Sequence, residues 1–227
     1  MFTQPTLDFL KDLSQNNNRE WFAANRPRYD AARKELENAV GRLLNKVREF
    51  EDLPNTQPKD CIFRINRDVR FSKNKDPYKN NLSAAIGPGG RHSGRIDFYF
   101  HIQPNGESLL GAGMWNPTPK QLVAFRQEID FNPTRLTGVI HDEKFRKYFP
   151  EILGESLKKT PKGYTEDNPS ADLLKRKQLF FMHKFTDLEV TSPDFLENIL
   201  TGCRLVKPFC DFLNTIFFDE IEEAVEL

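Results

Sequence analysis

The chain has 227 residues with 33 Lys and Arg against 33 Asp and Glu, so its formal net charge is zero. That balance argues against indiscriminate polyanion binding as its main business, and 20 phenylalanines in a 38% apolar composition argue against disorder. The longest apolar runs, such as residues 179–182, fall far short of the roughly twenty residues a membrane-crossing helix needs.

The N-terminal third reads as helical. Leu7, Phe9, Leu10 and Leu13 recur at helical spacing, Asn18 stands where it can cap a second helix through Trp21 and Phe22, and Pro27 marks a kink or a fresh start. Ala32, Leu36, Val40, Leu43 and Val47 carry the stripe on, until LPNTQP at 53–58 ends it.

The period then changes to two. FRINRDVRF at 63–71 predicts a strand with Phe63, Ile65, Arg67, Val69 and Phe71 on one face and Arg64, Asn66, Asp68 and Arg70 on the other. NLSAAI at 81–86 predicts another, ahead of the glycine-rich GPGGRHSG at 87–94. Ile96, Phe98, Phe100 and Ile102 alternate with Asp97, Tyr99 and His101. Pro104-Asn105-Gly106 is a turn signal, and SLLGAGMW at 108–115 returns the chain as a hairpin.

Helices resume at Thr118, where Thr118, Pro119 and Gln121 supply a cap, a first-turn proline and a capping-box glutamine. Asn132-Pro133, Asn168-Pro169 and Ser192-Pro193 repeat the cap-plus-proline signature. QLFFMHKF at 178–185 is short and apolar, which predicts a buried strand, and Phe209, Phe212, Ile216 and Phe217 predict one or two closing amphipathic helices. The expected fold is α+β: a mainly antiparallel sheet flanked by N-terminal and C-terminal helices. A single domain over 1–227 is expected, with helices over 1–52, a sheet-containing core with inserted helices over 60–185, and closing helices over 190–227.

Three cysteines cannot build a disulfide framework, and Cys203 and Cys210, seven apart, share a helix face as buried thiols. The N-terminal residues have neither a basic lead nor a sustained apolar run, which gives a cytoplasmic expectation. The four histidines lack paired ligand spacing, so no metal is expected, and no glycine-rich nucleotide motif calls for a cofactor. Ser72 and Lys75 form a bare Ser-x-x-Lys without its partner motifs. His101, beside Tyr99, is the one general acid or base candidate.

Positive charge is nevertheless concentrated. Arg64, Arg67, Arg70, Lys73, Lys75 and Lys79 face only Asp68 and Asp76 within sixteen residues. Arginine offers a planar fork to two oxygens and lysine a mobile point charge, the chemistry of a phosphate or carboxylate site. Candidate ligand-binding residues are therefore Arg64, Arg67, Asp68, Arg70, Ser72, Lys73, Lys75, Tyr78 and Lys79, with Lys162 and Tyr164 on a later loop as secondary members. The expected partner is an anionic small molecule. The alternatives are nucleic acid, with Phe71, Tyr78 and Tyr99 stacking bases, and a protein-interaction or structural role; the plain reading is a solvated charged surface. No membrane partner is expected. After Lys207 the chain is acidic only, through Asp211, Asp219, Glu220, Glu222, Glu223 and Glu226, a candidate internal partner for the basic segment.

FRINRDVRFSKNKDPYKNN, then GAGMWNPTPKQLVAFRQEI, then KGYTEDNPSADLLKRK resemble the domain-of-unknown-function family 2461 over nearly the whole chain. Arg64, Arg67-Asp68, Arg70-Phe71-Ser72-Lys73, Lys75 and Pro77-Tyr78-Lys79 carry the most specific part. In many relatives a histidine precedes the proline of the Gly-Tyr segment; Asn168 stands there in this chain, which weakens any catalytic histidine at that place. The resemblance implies one domain, an intracellular setting and no required metal. It supplies no activity, but favours a role for the basic segment.

Overall fold

Helix α1, Gln4–Gln15, opens the computed structural model, which describes residues 2–53 and 55–219. The expected apolar set, Leu7, Phe9, Leu10 and Leu13, is buried. Its start is held by a distant residue: Glu35 accepts from the Thr3 N–H at 3.0 Å and from the hydroxyls of Thr3 and Thr6 at 2.7 and 2.6 Å. Helix α2, Arg19–Ala24, starts where Asn18 accepts from the Trp21 N–H at 2.9 Å. Pro27 sits in the first turn of a separate helix, α3, Arg26–Val47, whose buried face runs along Ala32, Leu36, Val40, Leu43 and Val47.

A single turn, α4, Pro58–Cys61, leads into the basic segment. Here the expectation of a strand over 63–71 is corrected. Burial alternates from Phe63 to Arg70, but the chain bends at Ile65 and turns at Arg70, and only isolated bridges form, Ile62 with Ala84 and Asn66 with Tyr78. Alternation records which side chains are covered; a strand also needs a continuous ladder, which this segment lacks. Phe71, expected on the apolar face, is 96% exposed.

Strand β1, Leu82–Ile86, pairs antiparallel with β2, Phe98–Ile102, in a register that sets Ser83 against His101 and Ala84 against Phe100. Strand β3, Ser108–Met114, returns through a turn with Asn105 and Gly106 at positive φ, and β4, Leu179–Phe185, completes the order β1-β2-β3-β4. Between β3 and β4 lie α5, Pro119–Phe131, begun by the Thr118–Gln121 capping box, then α6, Thr134–Ile140, α7, Glu143–Tyr148, and the short α8, Ala171–Leu174. After β4 come α9, Asp187–Thr191, and α10, Phe195–Asn214, with a π turn at Thr215–Asp219. The fold is α+β, with an antiparallel sheet and helices at both ends.

Contacts group the chain into two compact units. The first runs to Leu110 and takes in Lys184–Thr201; the second holds Gly111–His183 and the chain from Gly202. In the first, Phe195 packs edge-on against Phe2 and Phe185, with centroids 6.0 and 5.1 Å away. In the second, Phe181 meets Phe145 and Phe209 edge-on at 4.8 and 5.1 Å, the geometry aromatic quadrupoles favour. Cys61, Cys203 and Cys210 are buried, and none is in a disulfide. Glu220, Glu222, Glu223 and Glu226 of the acidic end lie outside the described residues.

Candidate anion-binding site

The basic segment folds back on itself. The Arg67 N–H donates to the Pro77 carbonyl at 2.9 Å and the Lys79 N–H to the Ile65 carbonyl at 2.8 Å, which closes a loop over residues 68–76. Inside it, Asn74 accepts from the Asp76 N–H at 2.8 Å, an Asx turn, and the Lys75 ammonium donates to the Val69 carbonyl at 3.0 Å. Arg67 donates to the Asp76 carbonyl at 3.2 Å and the Ser72 hydroxyl at 3.4 Å. The half-buried guanidinium thus bonds to neutral oxygens.

This loop is moored on the N-terminal helices. The Asn17 amide donates to the Tyr78 carbonyl at 2.9 Å and its oxygen accepts from the Tyr78 N–H at 3.1 Å, while the Tyr78 ring stacks on Phe22 at 4.0 Å and 16°. Replacing Asn17 by Ala removes both bonds and is expected to cost about 1–2 kcal/mol in urea denaturation. An unchanged midpoint would mean that the stack alone holds Tyr78.

Three of the expected cations have their charge spent or spread in the loop. Arg70 grips Asp68 through Nε at 3.0 Å and Nη2 at 2.7 Å, which holds the Asp68 carboxyl below its usual range, and lies over Phe71 at 5.8 Å. Lys75 is tied to Val69, and Lys73 is exposed. Lys79 differs. Its ammonium is half-buried 5.1 Å from the Phe63 ring centre, and burial together with the charge of Arg64 pushes its pKa down. Among the described residues it forms no ion pair with a carboxylate.

Beside Lys79 opens a cleft of about 380 Å³. Arg67, Tyr78 and Lys79 line it with Ser14, Asn17, Asn74, Asp76, Asn80 and Asn81. Tyr78 also lines a second cleft, about 460 Å³, with Phe22, Tyr29, Asn66, Arg19 and Arg26. Arg26 is already paired with Asp30 at 2.8 Å. The sequence reading missed Asn17, Arg19 and Asn81; cap and turn patterns signal local structure only, and these residues meet the basic segment through tertiary packing.

The other candidates sit elsewhere. Ring nitrogen Nε2 of His101 donates to the Glu107 carbonyl at 2.7 Å, so Nδ1 accepts from the Tyr99 hydroxyl at 3.2 Å; burial lowers the His101 pKa. Both ring nitrogens are therefore engaged in a neutral ring. Asp97 turns under the glycine-rich loop, whose Gly90 and Ser93 N–H groups are bonded within the loop. Lys162 and Tyr164 belong to the second unit, Lys162 exposed and Tyr164 raised in pKa by burial and by Asp130. Asn168 accepts from the Ser170 N–H at 2.8 Å and donates to Asp130 at 2.7 Å, an Asx turn ahead of α8, whose N-cap is Ser170 and not Asn168 as expected.

Among the described residues, no group of three or more His, Cys, Asp or Glu is placed to share a metal ion, and no helix is long and apolar enough to cross a membrane. No curated protein and no solved structure matches the chain. Residues 5–212 match the family described as "Conserved hypothetical protein (DUF2461)", the same family that the basic motif resembles. The chain belongs to the DUF2461 family.

Proposed function

We propose that the protein binds an anionic small ligand, bearing phosphate or carboxylate, at the cleft beside Arg67 and Lys79. The observation that supports this reading is the Lys79 ammonium, half-buried, next to Arg64 and without a carboxylate in ion-pair range. A cation so placed carries a desolvation cost and a like-charge cost, and a bound anion relieves both. Arg67 adds a guanidinium held by neutral oxygens at the cleft wall. Arg64 strengthens the local field, whereas Arg70 and Asp68, paired in water, shape the loop.

Thermal unfolding in inorganic phosphate and in citrate tests this. An anion present at about a hundred times its dissociation constant stabilises by roughly 2.7 kcal/mol, a midpoint rise of several degrees. The rise is expected in wild type and absent in Lys79→Met. An equal rise in both proteins, or none in wild type, would reject the site.

Nucleic acid is the second reading, favoured by one observation: Phe71 stands 96% exposed beside Arg70 at the loop tip. Tyr78 has one face covered by Phe22, and Tyr99 has its hydroxyl bonded, so Phe71 is the stacking residue of that reading. It requires low-salt retention of an oligonucleotide that Phe71→Ala abolishes.

A further inference from the structure

The cleft beside Lys79 holds groups that a bare phosphate does not use. The side-chain oxygen of Asn81, just ahead of β1, is buried and has no hydrogen-bond partner among the described residues. The Asn81 amide nitrogen makes only a long bond, 3.4 Å, to the Gln103 side-chain oxygen. Turning the Asn81 carboxamide over leaves its nitrogen unpaired in the same place and sets its oxygen against the Gln103 oxygen, so neither orientation is satisfied. Asn80, exposed at the rim, carries another carboxamide. Asp76, in the same wall, spends one carboxylate oxygen on the Asn74 amide at 2.9 Å.

These groups are wrong for an anion and right for hydroxyls. A carboxylate repels phosphate but accepts from an alcohol, and a carboxamide can donate to a hydroxyl or accept from it. Resting on the anion-binding reading above, we infer that the ligand is a polyhydroxylated anion, a sugar phosphate or a sugar acid. Its anionic group sits at Lys79 and Arg67, and its hydroxyls meet Asn80, Asn81 and Asp76. A hydroxyl that accepts from the Asn81 amide in place of Gln103 exchanges a long bond for a shorter one.

Calorimetric titration at low salt with ribose 5-phosphate, gluconate, inorganic phosphate and ribose tests the inference. At least one polyol anion is expected to bind about tenfold or more tightly than inorganic phosphate, with ribose alone far weaker. The phosphate arm and the gluconate arm tell the two anionic groups apart. Asn81→Ala should remove the polyol preference while leaving phosphate affinity unchanged, and Lys79→Met should weaken every anion. Asn80→Ala, at an exposed position, reads the same loss of preference if the Asn81 variant does not fold. Equal affinity for phosphate and both polyol anions, or a preference that survives both asparagine variants, overturns the polyol ligand while the anion site stands. No binding of phosphate or of either polyol anion overturns both.

Discussion

Asp97→Asn is expected to make the protein more stable at pH 8, by about 1–3 kcal/mol, and to flatten its pH dependence below that. Asp97 precedes β2 and lies against Gly87, so close that a Cβ on that glycine would stand 2.1 Å from Asp97 Oδ1. That oxygen is buried and unpartnered, and burial, with Glu51 nearby, pushes the carboxyl pKa up to about 7; Arg95 and Ser93 act in the opposite direction. The folded state therefore binds more protons than the unfolded state between pH ~4 and ~7. Stability falls as pH rises through that window, levels off above it, and is fully retained below it. The amide removes the ionisation and with it the repulsion from Glu51. Urea midpoints at pH 5 and pH 8 check this. A variant no more stable than wild type at pH 8 would mean that Asp97 ionises at little cost.

Gly113→Ala is expected to destabilise by about 3 kcal/mol or more, because two independent constraints fail together. Gly113, in β3, has φ +136°, a region side chains avoid. A Cβ there would stand 2.5 Å from the Leu179 carbonyl oxygen and 2.6 Å from the Phe180 Cα, backbone atoms of β4 that cannot rotate away. Gly138→Ala, on α6 with nothing near its added Cβ, is the matched control and should be neutral or slightly stabilising. Equal urea midpoints for the two variants would show that β3 and β4 can part without loss.

The helices and the hairpin were legible because their signals are local. The Thr118 box, the Asn18 cap and the stripe from Ala32 to Val47 each depend on residues a few positions apart, and the expected alternation of β2 is seen in its burial. The basic segment had the same alternation without a strand, because period two reports which side chains are covered and not the backbone's hydrogen-bond partners. Within the site, Arg64, Arg67, Tyr78 and Lys79 stood out by charge and motif. Their inequality did not: that Arg70 is spent on Asp68 while Lys79 has no carboxylate depends on which way each side chain turns. Asn17 and Asn81 were silent for a different reason. Asn17 meets Tyr78 across sixty-one positions, and an asparagine beside a turn reads as turn chemistry whatever else it holds. Asp97, placed by alternation among the polar residues of the hairpin, is instead drawn beneath the glycine-rich loop.

An amide chemical-shift map of the protein titrated with inorganic phosphate tests the central claim most directly. The expected result is a saturable set of shifts centred on Arg67, Tyr78 and Lys79, lost in Lys79→Met. Shifts scattered over exposed lysines without saturation, or none in the cleft, would make the basic segment a solvated surface and contradict the anion site.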